Sequence, residues 1–358
     1  MELQIQDVAF GGKGVARADG KAVFVPYVID GESVSASITG EHKKFLEAQL
    51  ETIVTASPHR VEARCPYFGR CGGCVYQHIE YEHQLALKWR QVKETLRRIG
   101  GLKDPPMRPF IPSPVEYGYR NRITVHVRDG MIGFFRRESN KLLEIERCPI
   151  ARDEVNAKLA ELRGNNPHDG HYALRVIDGP RVFTQANDGV AAAMLDLVDR
   201  LLAPAAGGTL IDAYCGAGFF AKRLRTRFQE VIGIDWDQRA ISVAREDANE
   251  NEIYVAADVE TELGAANGPL QSADYLGRPL GTRRFVIVDP PAPGLSKALV
   301  ETLIEHLPTQ LIYISCNPAT LARDLAALKK SFRIHSITPL DMFPQTAEIE
   351  VVAELSPN

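Results

Sequence analysis

Residues 208–220 read GTLIDAYCGAGFF, an apolar run that passes into a turn containing Gly216 and Gly218. The run has the length and composition of a buried strand. Glycines at such a turn let the backbone approach a ligand closely, and the helix expected next presents its N-terminal amides there. Because Phe219 and Phe220 follow Gly218, the third glycine of the pattern G-x-G-x-x-G is absent, which disfavours NAD.

Four more short apolar runs follow, and each ends in polar residues. They are EVIGID (230–235), IYVAAD (253–258), FVIVDPP (285–291) and LIYISCNP (311–318). Runs of this kind, mostly separated by helical stretches, are typical of buried parallel strands, so the pattern predicts an α/β protein with a doubly wound sheet. The last two strands, within 333–343 and 348–355, are separated by a short link and are expected to close the sheet edge as an antiparallel hairpin.

Acidic residues stand at the ends of the second and third of these strands. Asp235 lies 23 residues after Asp212, at the place where a carboxylate accepts hydrogen bonds from ribose hydroxyls. Asp258 ends the next strand, where it can contact an adenine amino group. Together with the glycine turn, these residues favour an adenosine cofactor over a purely structural turn.

The fourth and fifth strands end in two further motifs. Asp289-Pro-Pro-Ala292 is similar to a motif of enzymes that methylate exocyclic amines, but in those enzymes an aromatic ring stacks on the base, which Ala292 cannot do. Cys316, in the run SCNP (315–318), is expected at the ligand-binding edge of the sheet. The helix N-terminus beside it would favour the thiolate, so we interpret Cys316 as a nucleophile, with buried packing as the alternative.

The N-terminal part of the chain has a different pattern. The first 57 residues contain short runs rich in β-branched and aromatic residues, separated by turns such as Asp19-Gly20 and Asp30-Gly31. This pattern predicts a small barrel of the oligonucleotide-binding type, with a β cap that only packs on its neighbour as the alternative. At 358 residues the chain has room for two or three domains, which we place at 1–57, 58–180 and 181–358.

Charge is distributed unevenly along the chain. Residues 1–150 carry a net charge of +4 and the remainder −8. The basic half could bind a polyanion, and an ordinary solvated surface is the alternative. Because no apolar stretch approaches the roughly 20 residues of a membrane span, and no signal peptide is visible in MELQIQDVAF, we expect a cytoplasmic protein without membrane association.

Four cysteines fall in the middle region, at Cys65, Cys71, Cys74 and Cys148. Four thiolates can hold either Zn²⁺ or a [4Fe–4S] cluster. Three clustered cysteines and a remote fourth differ from the two close pairs of a zinc ribbon and favour an iron–sulfur cluster.

Residues 81–100 are predicted to form an amphipathic helix whose apolar face we expect to pack on the third domain. Its charged residues, including Lys88, are expected elsewhere around the helix. The apolar face comprises Leu85, Trp89, Val92, Leu96 and Ile99.

The sequence resembles the RNA 5-methyluridine methyltransferase family, whose members use S-adenosylmethionine (SAM). The resemblance covers nearly the whole chain, and the ten-residue run SCNPATLARD (315–324) with the downstream F-P-x-T is highly specific. The motifs are a β-rich N-terminus like a TRAM domain, the spacing of the four cysteines, Phe183-Thr-Gln185-Ala-Asn187, Asp212-Ala-Tyr-Cys-Gly-Ala-Gly218, Asp289-Pro-Pro291, SCNPATLARD and Phe343-Pro-Gln-Thr346 followed by Glu350.

The resemblance implies a class I, Rossmann-like methyltransferase domain behind an OB-like barrel and a central β-rich iron–sulfur domain. It assigns Cys316 as the nucleophile and Glu350 as the base, and it implies RNA, either rRNA or tRNA, as the partner of a monomeric enzyme. The positions that match SAM- or base-contacting residues are Gln185, Tyr214, Gly216, Gly218, Asp235, Asp258 and Asp289. The four cysteines match the ligands of a [4Fe–4S] cluster.

The chemistry explains why these residue types are needed. Carbon 5 of uracil is a poor nucleophile, so a thiolate must first add to C6 and place electron density at C5. After methyl transfer, a carboxylate removes the C5 proton and the thiolate leaves. The target uridine must be unpaired or flipped out of its stack to reach the pocket.

Departures from the family pattern keep two other functions open. Glu348 stands where His is usual, Asp235 replaces the more usual Glu, Ala292 stands where Arg is common, and Phe219 where some members have Asn. These changes motivate a non-catalytic RNA-binding protein that retains the fold. A cytosine-C5 RNA methyltransferase is the other alternative, although such enzymes usually carry Pro-Cys or Thr-Cys rather than Ser315-Cys316.

Overall fold

The computed structural model describes residues 1–179, 182–202, 207–265, 268–270 and 283–358. Within these residues the chain forms three β-sheets. The domain boundary expected between residues 180 and 181 falls on two residues outside the described part of the chain. None of the described helices is both long enough and apolar enough to cross a membrane.

The N-terminal sheet forms a barrel. Its strands are β1 (Glu2–Gln4), β2 (Asp7–Val8), β3 (Lys13–Ala18), β4 (Lys21–Pro26), β5 (Ser33–Glu41) and β6 (Phe45–Thr55). The spatial order is β1-β5-β6-β4-β3-β2. β1 pairs with β5 at one end of this order, and β2, the next strand along the chain, pairs with β3 at the other end. The N-terminal stretch therefore connects the two edges of the sheet. The predicted barrel is confirmed.

A second, smaller antiparallel sheet follows the cysteine segment. This region contains α1 (Tyr81–Arg98), β7 (Arg122–Arg128), β8 (Met131–Phe135), β9 (Leu142–Glu144), α2 (Asp153–Gly164) and β10 (Gly170–Arg175). The strands are ordered β10-β7-β8-β9. Alternate residues of β7, including Val125, are buried against Val155 and Leu159 of α2, so the helix covers one face of the sheet.

The C-terminal region alternates helices and strands. Its elements are α3 (Asp188–Leu201), β11 (Thr209–Ala213), α4 (Phe219–Leu224), β12 (Glu230–Asp235), α5 (Gln238–Arg245), β13 (Glu252–Ala256), α6 (Val259–Gly264), β14 (Arg284–Val288), α7 (Lys297–His306), β15 (Gln310–Ser315), α8 (Pro318–Leu328), β16 (Phe332–Leu340) and β17 (Glu350–Pro357).

These strands form one seven-stranded sheet in the order β13-β12-β11-β14-β15-β17-β16. The first five are parallel, and β17 runs antiparallel to both β15 and β16. The doubly wound sheet and its antiparallel closing hairpin are therefore confirmed. The strand order reverses at β11, and such a switch point opens a crevice at the carboxyl ends of the strands.

Helices cover both faces of this sheet. Residues of α6, α7 and α8 share one apolar core with strand residues such as Ile211 and Val286, and α3, α4 and α5 share the other with Leu210 and Ile287. Because successive strand residues alternate between the two cores, both faces are buried. The sheet is thus a rigid platform for the side chains at its carboxyl edge.

Helix α1 belongs to the middle of the chain but packs on the C-terminal sheet, against α8. Val92 and Leu96 are fully buried in the core that includes the α8 residue Leu325. Two details differ from the helical pattern. Ile99, expected on the apolar face, is 52% exposed, and Lys88, expected among the outer charges, is fully buried because its ammonium pairs with Asp341 at 2.6 Å.

Candidate active site

A cavity of about 390 Å³ lies at the carboxyl edge of the sheet, around the end of β11. Its wall includes several residues singled out from the sequence: Gln185, Tyr214, Gly216, Gly218 and Asp289. The glycine turn has the expected form. Gly218 adopts a φ of +86°, and a Cβ there would lie 2.9 Å from the Tyr254 hydroxyl oxygen, so a larger residue is excluded both by conformation and by space.

Asp235 and Asp258 stand at strand ends but do not line this cavity. The Asp235 carboxylate accepts hydrogen bonds from the backbone N–H groups of Gly216 and Asp237, both at 2.8 Å, and thereby shapes the glycine turn. Asp258 is exposed and caps α6, accepting from the Thr261 backbone N–H at 2.9 Å. The structure therefore gives each carboxylate a local structural role beside the ligand contact expected for it.

Trp236 was missed by reasoning from the sequence. It follows Asp235 directly at the end of β12 and is 72% exposed. A large, exposed aromatic side chain at this edge of the sheet offers a surface on which a planar base can stack. The available signal was the aromatic residue directly after a strand-end carboxylate.

Cys316 and Glu350 face one another across two paired strands. In the antiparallel register of β15 and β17, Ser315 lies opposite Val351, so the next pair brings Cys316 opposite Glu350. Asp289 follows the neighbouring strand β14. The sheet thus brings together the predicted nucleophile, the predicted base and a cavity-lining carboxylate, residues that are far apart in sequence.

The site raises the pKa of all three groups. Burial, with the Glu350, Asp289 and Glu348 carboxylates nearby, raises the pKa of the Cys316 thiol to about 11. Burial raises the pKa of Asp289 to about 7, and burial together with Asp289 and Glu348 raises the pKa of Glu350 well above its usual range. Burial and the three acidic neighbours therefore oppose the effect expected of the helix N-terminus, which would favour the thiolate.

The exposure of the side chain distinguishes Glu350 from its acidic neighbour Glu348. Glu350 is 5% exposed, whereas Glu348 lies at the surface. Cys316 is partly exposed and so is not sealed inside the protein. These positions favour Glu350 as the carboxylate that meets a substrate beside Cys316.

The four cysteines line a second cavity, of about 490 Å³, bordered by β8. Burial raises the pKa of the Cys74 thiol to about 12, and the neighbouring thiols contribute to this shift. Within the part of the chain that the structure describes, no three His, Cys, Asp or Glu side chains meet as the ligands of a metal ion do. The central domain is established only as a β-rich domain.

Comparison with known proteins was made against families, curated sequences and solved structures. The sequence model of the tRNA (uracil-5-)-methyltransferase family matches residues 166–356, and that of the TRAM domain matches residues 1–50. A protein of Bdellovibrio bacteriovorus, named an uncharacterized RNA methyltransferase, is 33% identical over 99% of this chain and 94% of its own length.

Two further relatives carry a named activity. The 23S rRNA (uracil(1939)-C(5))-methyltransferase of Pseudomonas fluorescens is 30% identical over 98% of this chain and 93% of its own. The crystal structure of the Pyrococcus abyssi tRNA (uracil-54, C5)-methyltransferase, in complex with S-adenosyl-L-homocysteine, matches with a TM-score of 0.72 and 25% identity, covering 99% of this chain and all of that one.

The fold and the cavity at its carboxyl edge define a class I SAM-dependent methyltransferase domain, joined to an N-terminal TRAM domain. More particularly, the chain belongs to the tRNA (uracil-5-)-methyltransferase family, and it is an RNA (uracil-C5)-methyltransferase that uses SAM. The predicted enzyme class, the use of SAM and the RNA partner are confirmed, the iron–sulfur cluster is not, and neither the non-catalytic nor the cytosine-directed alternative is favoured.

Proposed function

We propose that the chain methylates C5 of a uridine in rRNA or tRNA through a transient covalent bond between the Cys316 sulfur and C6 of the uracil. The observation that carries this proposal is the β15–β17 register, which supports a nucleophile and a base acting on the same ring. SAM supplies an electrophilic sulfonium methyl group. The choice of rRNA or tRNA follows the named relatives, which act on one or the other.

Each residue then has a defined task. As the Cys316 sulfur bonds to C6, electron density moves to C5, which accepts the methyl group. Glu350 takes the C5 proton. The electron pair of the broken C5–H bond forms the C5–C6 double bond, and the C6–S bond breaks to release the thiolate. The thiol proton must pass to another acceptor before the sulfur bonds to C6, so that Glu350 is ionised when the C5 proton is removed. The raised pKa of Glu350 supports its role, because a carboxylate with a raised pKa is a stronger base.

The cavity residues are proposed to bind SAM and the uracil. Gln185, Tyr214, Gly216 and Gly218 lie in the cavity wall, and Asp289 lies in that wall while also acting electrostatically on Cys316. Asp289 is therefore suited to hydrogen-bond the uracil edge between the cofactor and the nucleophile. Asp235, with Asp258 on the neighbouring strand end, is proposed to contact the adenosine part once the cofactor is present.

The covalent step is tested with RNA that carries 5-fluorouridine, because fluorine cannot be removed as a proton is and the adduct persists. We expect wild-type protein with SAM to form a complex that survives denaturing electrophoresis. Cys316→Ala should form none and should yield no 5-methyluridine in unmodified RNA. Cys215→Ala, a change at the other cysteine of the C-terminal region, should still form the complex. Turnover by Cys316→Ala at the wild-type rate would refute the mechanism.

We propose further that the cysteine cavity holds a [4Fe–4S] cluster. Each iron of such a cluster takes its own thiolate, so the four ligands surround a volume instead of one point, which fits four cysteines around a common cavity. The cluster would supply a cross-link between the cysteine segment and the loop that carries Cys148. Nothing in the methyl transfer needs a redox step.

Metal analysis of anaerobically purified protein tests this assignment. We expect about four irons and four sulfides per chain, lost together with the visible absorbance in Cys148→Ser and retained in the control Cys215→Ser. A colourless preparation with one zinc per chain would overturn the iron–sulfur assignment and leave the methyltransferase mechanism untouched.

A further inference from the structure

The loop between β16 and β17 leads directly into Glu350, yet it is held from outside its own domain. The Lys88 ammonium pairs with Asp341 and donates to the Phe343 carbonyl at 3.2 Å. The Tyr119 hydroxyl donates to the Pro344 carbonyl at 3.0 Å. Both donors come from the middle region of the chain, so the conformation of this loop depends on how that region is docked.

Gln345 is the most tightly held residue of the loop. Its backbone N–H donates to the Gln84 side-chain oxygen at 3.1 Å, and its own side-chain oxygen accepts from the Gln84 amide at 3.0 Å. Its carbonyl accepts from the backbone N–H groups of Val75 and Tyr76, each at 3.0 Å. Gln345 is 1% exposed, so none of these bonds competes with solvent.

The backbone of Gln345 is strained. Its φ is +70°, in the left-handed region that residues other than glycine seldom adopt. Such a conformation persists only where the surroundings over-determine it, and it is concentrated at functional sites. Here four hydrogen bonds from α1 and from the residues directly after Cys74 hold the strain, five residues before Glu350.

From these contacts we infer that Gln345 is a positioning residue for the proton-removal step: Gln84 and the end of the cysteine segment fix the loop that sets the Glu350 carboxylate against C5 of the uracil. This inference rests on the proposed covalent mechanism. It assigns the cysteine segment an indirect part in catalysis, since Val75 follows Cys74 and anchors the loop. Cys316 lies between β15 and α8, outside this loop, so adduct formation does not depend on this contact.

The consequence is a specific kinetic defect. If the loop is loosened, Cys316 still adds to C6 and C5 still accepts the methyl group, but the C5 proton is removed slowly. The C6–S bond then persists, and methylated RNA remains bound to the protein. A displaced general base slows its step by roughly 10- to 100-fold.

The test compares Gln84→Ala with Gln91→Ala. Both changes remove a buried amide from α1. Gln91 donates to the Val8 carbonyl of the barrel and to the Tyr76 hydroxyl, whereas Gln345 is held by the Tyr76 backbone N–H and by Gln84. With unmodified uridine RNA, we expect Gln84→Ala to accumulate denaturant-stable adduct roughly 10-fold or more above wild type. Gln91→Ala should lose thermal stability without accumulating adduct.

Gln345→Gly provides a second variant that relieves the backbone strain and removes only the side-chain bond. We expect it to accumulate adduct above the wild-type level but less than Gln84→Ala does, because the three bonds to the Gln345 backbone remain, and to fold normally, because glycine accepts a positive φ. Turnover by Gln84→Ala and Gln345→Gly without adduct build-up would overturn the positioning role.

The 5-fluorouridine assay separates this failure from a failure of the mechanism. Wild type, Gln84→Ala and Gln345→Gly should all form the fluorinated adduct to the same extent, since its formation does not require Glu350. Absence of this adduct in the wild type would refute the covalent step itself. If the wild type forms this adduct but the two variants do not accumulate adduct with unmodified RNA, only the assignment of Gln345 is refuted.

Discussion

At the scale of single residues, three carboxylates act on the Cys316 thiol: Glu350, Asp289 and Glu348. Burial disfavours the ionised forms and raises the pKa values of the thiol, Asp289 and Glu350, and nearby carboxylates raise those of the thiol and Glu350 further. Such an arrangement costs folding stability at neutral pH, and groups whose pKa values are shifted in this way are concentrated at functional sites.

Asp289 allows this cost to be measured. Its folded pKa of about 7 lies above the unfolded value of 3.8, so its contribution to stability is present below pH 3.8 and is lost as pH rises through 7. We expect Asp289→Asn to raise the free energy of unfolding at pH 8 by about 1–3 kcal/mol and to have little effect near pH 4. Urea denaturation at the two pH values measures the difference.

The same variant should be a poor enzyme. Because the proposed hydrogen bond to the uracil is altered, we expect kcat/KM for RNA to fall at least about tenfold. An equal denaturation midpoint for wild type and variant at both pH values would show that burial does not raise the Asp289 pKa in the folded protein.

Trp236 provides a second prediction at this scale. If its exposed ring stacks on the adenine of SAM, Trp236→Ala should weaken binding of S-adenosylhomocysteine by roughly 1–3 kcal/mol, while Trp236→Phe should retain most of the affinity. Isothermal titration measures this directly. As the chain has two tryptophans, a Trp89→Phe background also leaves Trp236 as the single fluorescent reporter, and an unchanged emission on cofactor binding would contradict the stacking.

At the scale of elements, helix α8 holds the loop that carries Asp289. The Asp324 carboxylate, 3% exposed, accepts hydrogen bonds from the Leu295 backbone N–H at 2.9 Å and from the Tyr313 hydroxyl at 2.7 Å. Arg323 donates to the carbonyls of Pro293 and Leu295. The Arg-Asp end of SCNPATLARD thus joins α8, the helix that follows Cys316, to the loop after β14.

We expect Asp324→Ala to lower the free energy of unfolding by about 2–4 kcal/mol, because it leaves a buried N–H and a buried hydroxyl without an acceptor. Tyr313→Phe removes one of the same bonds and should cost about 1 kcal/mol. In Asp324→Ala, kcat should also fall by more than in Tyr313→Phe, since the loop that carries Asp289 is released. Equal kcat values in the two variants would show that this anchor has no part in catalysis.

At the scale of the whole molecule, α1 joins the middle region to the catalytic sheet. The apolar contact of Val92 and Leu96 is supplemented by the buried Lys88–Asp341 pair, in which neither side chain is accessible to solvent. A charge pair in this position forms only when the two regions dock in one register, because either partner alone would be a buried, uncompensated charge.

Double-mutant analysis tests the pair. We expect Lys88→Met or Asp341→Leu alone to cost about 3–5 kcal/mol, and the double variant to cost much less than their sum. Arg97→Met is the matched control on the same helix: its pair with Glu94 is about half exposed, and its loss should cost at most about 0.5 kcal/mol. Simple additivity of the two buried substitutions would contradict the coupling.

The amino-acid sequence was sufficient for the features that depend on local pattern. Apolar runs ending in polar residues predicted the parallel strands, and the same periodicity placed Asp235, Asp289 and Cys316 at the carboxyl edge of one sheet. These predictions succeeded because the burial of a strand and the polarity of its end are written in adjacent residues.

Other features required the tertiary structure, because they arise between residues far apart in the chain. Lys88 and Asp341 are separated by 253 positions, and Gln84 and Gln345 by 261, so no window of sequence indicates that a lysine or a strained glutamine will be buried and satisfied. The Cys316 pKa likewise follows from carboxylates that other strands bring to it. Sequence determined which groups reach the edge of the sheet; folding determined their neighbours, and electrostatic and hydrogen-bond energies depend on those neighbours.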